Sequence, residues 1–244
     1  MVAAIAPRPG QHLVEIGPGF GALTVPLMDR VTSFDVIELD TALAANLVAR
    51  YPQSEQLRVH RADALSFDFS QLGHGVTRLR LVGNLPYNIS TPLLFHLLDQ
   101  STRIQDMHFM LQHEVVQRIV ASPGHRRYGR LTVMVQFSCL AEQLFTVPAS
   151  AFRPKPRVTS AVLRLVVREQ PPTRVESHRL FARVVREAFA QRRKTLRNSL
   201  RGLVSETQFV QAKVDPSARA ETLTVQQFAT LSNVVHATQS PVTE

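Results

Sequence analysis

From His12 onward, short continuous apolar runs alternate with longer segments whose apolar residues recur every three or four positions. Continuous runs of four to six residues predict strands buried on both faces, and the 3.6-residue recurrence predicts amphipathic helices. The pattern predicts strands at His12 to Ile16, Phe34 to Leu39, Leu57 to His60, Leu79 to Val82 and Met107 to Leu111. Helices are predicted at Ala22 to Arg30, Thr41 to Arg50, Thr91 to Gln100 and Glu114 to Ala121. Such alternation builds a parallel sheet covered by helices on both faces, an α/β fold. Ala161 to Val167, rich in Val and Leu, is predicted as a late strand pairing antiparallel at the sheet edge.

Pro171 and Pro172 stop this rhythm, because neither residue continues a strand or a helix interior. Beyond them Leu180, Phe181, Val184, Val185, Ala188 and Phe189 recur at helical spacing, with arginines 179, 183, 186, 192 and 193 around the rest of the circumference. The expected organisation is therefore an α/β domain over residues 1–170 and a small helical domain over 174–236. The last dozen residues carry no pattern and are expected to fray.

Composition narrows the class. With 244 residues, 44% of them hydrophobic, the chain can bury a real core. Its single cysteine, Cys139, excludes an internal disulfide and any multi-cysteine metal site, and favours a reducing compartment such as the cytoplasm. No apolar run approaches the ~18 residues of a membrane span, and neither a signal peptide nor an anchor is expected. The net charge of +9 is local: residues 121–201 hold 17 basic and 4 acidic side chains, while the rest of the chain is net acidic. One basic face on an otherwise near-neutral molecule suits a polyanionic partner. Only 3 of the 28 cations are lysines, and the planar fork of arginine suits phosphate.

Three features at consecutive strand ends carry candidate chemistry. Glu15-Ile16-Gly17-Pro18-Gly19-Phe20-Gly21 leads from the first strand into a helix, and its glycines let a ligand approach the backbone at a helix N-terminus. With Ala22 the run also satisfies G-x-G-x-x-A, so a nicotinamide-dependent oxidoreductase remains an alternative. Glu38 closes the second strand, where a carboxylate can accept both hydroxyl hydrogens of an adenosine ribose. Asp63, followed by Ala64, ends the third strand region, where it can accept a hydrogen bond from an adenine amino group.

The fourth strand leads into Gly83-Asn84-Leu85-Pro86-Tyr87-Asn88-Ile89-Ser90. Here a side-chain amide oxygen, backbone carbonyls held by a proline turn and an aromatic face are brought together. An exocyclic aromatic amine has two N–H donors for such paired acceptors, and its ring can stack on the tyrosine. Metal catalysis is not expected: His113-Glu114-Val115-Val116-Gln117 carries Gln where a zinc-binding helix needs its second His.

The strings EIGPGFG, VIELD, RADAL, GNLPYNIS, FRPKPRVTSAVLRL and QRRKTLRNSL, in this order, resemble the ribosomal RNA adenine dimethyltransferases. That resemblance implies a Rossmann-like class I methyltransferase sheet with a small C-terminal helical domain, and S-adenosylmethionine as cofactor. It implies that Gly17, Gly19, Gly21, Glu38, Asp63, Ala64 and Asn84 contact the cofactor. Asn84 with the carbonyl of Leu85 or Pro86 would hold the target amine, and Tyr87 and Phe152 would stack on the adenine. Arg153, Lys155 and Arg157, together with Arg192, Arg193, Lys194 and Arg197, are expected on RNA phosphates.

The implied reaction is dimethylation of two adjacent adenines of small-subunit ribosomal RNA within an immature ribosomal subunit, by a cytoplasmic monomer. A docking factor for the same particle, without catalysis, is the alternative. Two departures stand out. The family's Phe-x-Gln-Asn-Phe-Leu motif does not precede the glycine turn, from which a cofactor affinity weaker by about 1–3 kcal/mol is expected. Thr159 stands where an Asp is common in the family.

Overall fold

A computed structural model gives the fold, and it describes residues 1–52, 54–73, 78–153 and 155–239. Seven strands form one sheet: β1 (His12–Ile16), β2 (Ser33–Glu38), β3 (Leu57–Arg61), β4 (Leu79–Asn84), β5 (Ile104–Gln112), β6 (Cys139–Val147) and β7 (Ser160–Val167). The helices are α1 (Val2–Ile5), α2 (Thr24–Met28), α3 (Thr41–Arg50), α4 (Ser90–Asp99), α5 (His113–Ile119), α6 (Arg130–Ser138), α7 (His178–Ala190), α8 (Leu196–Ser199), α9 (Glu206–Gln211) and α10 (Val225–Gln239).

The strand order is β3-β2-β1-β4-β5-β7-β6, and the five strands from β3 to β5 are parallel. The chain moves outward from β1 to β3 and then returns to the other side of β1 to lay down β4. That reversal opens a crevice at the carboxyl ends of β1 and β4, where ligands bind in open α/β sheets. Every residue of β1 is buried, as suits a central parallel strand, His12 and Glu15 included. Leu13, Phe34, Val36, Leu47 and Val82 form the core on one side, joined by Ile5 of α1.

One expectation needs correction. The strand predicted at Ala161 to Val167 does pair antiparallel with β5, Phe109 opposite Leu163, but it is internal. The edge belongs to β6, whose sequence CLAEQLFTV is half exposed and lacks the continuous apolar character that marks a buried strand. The chain also continues as helix through Gln239, where fraying was expected from residue 233 onward; residues 240–244 lie outside the described residues.

By its internal packing the chain divides into two compact units: Met1–Val116 with Leu140–Val167, and Gln117–Cys139 with the chain from Arg168 onward. The second unit thus takes in a segment that precedes the last two strands. Its core gathers Phe137, Phe181, Val184, Leu196, Phe209 and Phe228. The ring centroids of Phe137 and Phe181 lie 4.5 Å apart. Ser177 starts α7 by accepting a hydrogen bond from the Leu180 N–H. Among the described residues, no helix is long and apolar enough to cross a membrane.

Candidate active site

The turn after β1 depends on backbone angles that favour glycine. Gly17, Gly19 and Gly21 have φ of +68°, +56° and +83°. A Cβ on Gly17 or Gly19 would meet nothing within 4 Å, so the turn presents bare backbone to open space. Gly21 faces the protein instead: its Cβ would lie 3.3 Å from Leu47 Cδ2. Glu38, 8% exposed, reaches back to this turn. One of its oxygens accepts the Gly19 N–H at 3.2 Å and the other accepts the Asp40 N–H at 2.9 Å. Asp63 is exposed, and its carboxylate accepts the Leu65 N–H at 2.9 Å.

These strand ends border a cavity of about 450 Å³. Gly17, Glu38, Asp63 and Ala64 line it as the sequence led us to expect; Gly19, Gly21 and Asn84 do not. Leu39, Leu65 and Ile89, which the sequence reading passed over, supply apolar walls. Their only sequence signal is an apolar residue one or two places beyond a predicted polar one.

Glu15, two positions ahead of Gly17, was also missed as a titrating group. It is 1% exposed and accepts a hydrogen bond from Thr24 Oγ1 at 2.6 Å. Burial pushes its carboxyl up to about 7, opposed by the Thr24 bond and assisted by the negative charge of Glu38.

The second recess is built by the end of β4. Gly83 lets β4 lie against β1, since a Cβ there would stand 2.6 Å from the Ile16 carbonyl oxygen. The loop that follows is tied at several points. Leu85 donates its N–H to the Met110 carbonyl at 3.2 Å, and the Pro86 carbonyl accepts the Ile89 N–H at 3.2 Å. Ser90 Oγ donates to the Tyr87 carbonyl at 3.0 Å, and the Tyr87 hydroxyl lies 2.9 Å from Ser160 Oγ.

Asn84 is exposed, and among the described residues neither its side-chain amide nor the Leu85 carbonyl has a hydrogen-bond partner. Asn84, Leu85, Pro86, Tyr87 and Phe152 line one recess of about 280 Å³, joined by Pro156. All five expected catalytic residues are therefore brought together, and Pro86 also lines the larger cavity.

The basic residues separate into two groups. Arg153, Lys155 and Arg157 are exposed on the segment that carries Phe152; Pro154 between them lies outside the described residues. Arg192, Arg193, Lys194 and Arg197 belong to the other unit, and two of them are already engaged. Arg197 holds both oxygens of Glu206, at 2.6 and 3.0 Å, and Arg192 Nε lies 3.5 Å from Glu221. No cluster of His, Cys, Asp and Glu suited to a metal ion occurs among the described residues.

Comparison with known proteins agrees with this architecture. The small-subunit ribosomal RNA methyltransferase A of Acinetobacter baylyi is 53% identical over 96% of this chain and 85% of its own length. The protein of the same name from Vibrio parahaemolyticus is 52% identical over 96% of this chain and 87% of its own length.

Among solved structures, the dimethyladenosine transferase of Plasmodium falciparum superposes with a TM-score of 0.78 at 24% identity, covering 94% of this chain and 91% of its own. The 23S ribosomal RNA methyltransferase ErmE superposes with a TM-score of 0.73 at 25% identity, covering 96% of each chain. The ribosomal RNA adenine dimethylase family matches residues 1–237, and with relatives of this identity over nearly its whole length the chain belongs to that family.

Proposed function

We propose that this chain uses S-adenosylmethionine to dimethylate the exocyclic amines of two adjacent adenines in small-subunit ribosomal RNA, acting in the cytoplasm as a single chain on an immature subunit. The observation that carries this reading is the shared wall at Pro86. A cavity with carboxylates at successive strand ends adjoins a recess with paired acceptors and aromatic rings.

The larger cavity suits the cofactor. The open face of Gly17 admits a ligand against the backbone, where any side chain would intrude, and Gly19 leaves the same turn bare beside it. Each Glu38 oxygen accepts one backbone N–H and keeps a lone pair for a ribose hydroxyl. Asp63 at the rim can accept from an adenine amine, while Leu39, Leu65 and Ile89 exclude water around the base. When bound, S-adenosylmethionine supplies a methyl group on a positively charged sulfur.

The protein's task in the recess is to present an amine. A target adenine turned out of its stack fits between the rings of Tyr87 and Phe152. Its two N–H groups have acceptors in Asn84 Oδ1 and the carbonyl of Leu85 or Pro86; the Pro86 oxygen accepts one hydrogen bond from Ile89 and keeps a second lone pair. Gripping both hydrogens draws the nitrogen lone pair out of conjugation with the ring and aims it at the incoming carbon. The amine becomes acidic only as the new N–C bond forms and the S–CH3 bond breaks, so its proton can leave to water past these acceptors without a strong general base.

Undermethylated small subunits incubated with this chain and cofactor carrying a labelled methyl group should acquire label in adenine. Asn84→Ala should abolish labelling while leaving particle binding intact, which separates catalysis from docking alone. Absence of adenine label, with an active relative run alongside, would overturn the reading.

A further inference from the structure

Helix α7, HRLFARVVREAFA, divides its circumference sharply. Phe181, Val184, Val185 and Ala188 are buried in the core of the second unit, while Arg179, Arg183 and Arg186 are exposed. Positions i, i+4 and i+7 share one face, so the three guanidinium stems form a line spanning about 10 Å along the helix axis. Arg130, at the first turn of α6, borders the same groove, which encloses about 630 Å³.

Two of the groove's four cations, Arg179 and Arg183, carry no ion pair among the described residues. The groove's one carboxylate, Glu187, is engaged by Arg186 at 2.9 and 3.1 Å. Like charges at i and i+4 destabilise a helix. An external anion relieves that repulsion, and a row of such charges calls for an anion with repeating charge.

We propose that this groove holds the phosphodiester backbone of structured RNA, as a contact separate from the Gln191–Asn198 segment. That the polyanion is RNA rests on the methyltransferase reading above. The lining chemistry favours RNA over an acidic protein. Leu180 and Ala182 are its only apolar residues, whereas protein interfaces centre on buried aromatic and apolar side chains. Arg179 and Arg183, which have no ion pair among the described residues, are arginines, whose planar forks grip phosphate oxygens in pairs. Such contacts fix the register of the RNA and carry no base specificity.

The test is equilibrium binding of the full chain to naked, unmethylated small-subunit ribosomal RNA across a salt series. Arg179→Gln/Arg183→Gln should weaken binding at low salt and flatten the log–log salt slope by about 1.5, the loss expected for two phosphate contacts. Arg179→Lys/Arg183→Lys should restore most of the slope. An unchanged melting temperature and cofactor affinity in both variants show that the fold is intact.

An unchanged slope in the Gln variant overturns the proposal. So does a loss of binding confined to the protein-bearing particle, which would assign the groove to a protein. A wild-type chain that shows the arginine-dependent slope yet methylates no adenine would leave the groove standing and remove the enzymatic reading.

Discussion

The hydroxyls of Tyr87 and Ser160 lie 2.9 Å apart, joining the target loop to a fully buried position on β7. The tyrosine ring is therefore fixed at both ends, by its backbone in the loop and by its hydroxyl against the sheet. Removing either hydroxyl frees the ring to tilt across the recess it shares with Phe152. Ser160→Ala and Tyr87→Phe should each lower kcat/KM by roughly fivefold, the worth of one hydrogen bond of about 1 kcal/mol. The double variant should be no worse than either single one. Additive losses in that cycle would show that Ser160 acts through the sheet instead.

Glu15 gives the fold an unusual pH dependence. Its carboxyl is raised to about 7 in the folded protein, so between the usual carboxylate range and pH 7 the folded chain holds a proton that the unfolded chain has lost. The stability this group contributes is complete below about pH 4.5 and falls as pH rises through 7. Glu15→Gln keeps an acceptor for Thr24 and has no charge to bury. At pH 8 it should be more stable than the wild type by an amount on the order of 2–3 kcal/mol, with the difference vanishing near pH 5. Denaturant melts at the two pH values check this, and parallel pH profiles for the two proteins would contradict it.

Midway along β2, level with Val14 of β1, Asp35 has the reverse sign. Burial alone would raise its carboxyl, but hydrogen bonds from His12, His60 and Arg58, with the charge of Arg58, hold it well below the usual carboxylate range. It therefore stabilises the fold above about pH 4 and ceases to do so as pH falls further. Asp35→Asn leaves these donors poorly matched and should cost about 3–5 kcal/mol at pH 7, less at pH 3. Because Asp35, His12, His60 and Arg58 do not line the cavity at the strand ends, activity per folded molecule should be unaffected. Urea midpoints and active-site-normalised rates separate the two effects.

How much of this was legible in the sequence depends on whether a property belongs to a residue or to a pairing. The largely apolar runs of β1 and β2 announce their burial, though not that Glu15 and Asp35 within them are buried too, and the loop from Gly83 to Ser90 announces its chemistry by residue type alone. The edge strand β6 does not, because one face meets solvent and Glu142 and Gln143 interrupt its pattern. Nor does α6, RLTVMVQFS, whose Thr132, Val133 and Val135 favour strands until its packing makes it a helix. Ser160 is 73 residues from the tyrosine it holds. Arg197 reads as an available cation, yet Glu206, nine residues later, occupies its fork.

Gly83 offers the sharpest test of how the two recesses are joined. A methyl group there would stand 2.6 Å from the Ile16 carbonyl oxygen, closer than a Cβ can approach backbone, and neither strand can yield without moving a ladder that pairs Glu15 with Val82. Gly83→Ala must therefore push the end of β4 away from β1, between the glycine turn and Asn84. Overpacking of this kind costs about 1–3 kcal/mol. The same displacement separates the cavity at Gly17 from the acceptors of the target loop, so kcat should fall by more than the loss of folded protein explains.

Gly17→Ala provides the contrast. Its Cβ enters open space in a strained left-handed conformation, so it should weaken cofactor affinity first and kcat second. Melting temperatures, cofactor titration and single-turnover methylation on both variants distinguish the two patterns. A Gly83→Ala protein with wild-type stability and rate would show that the approach of β4 to β1 is not what sets the distance between cofactor and target.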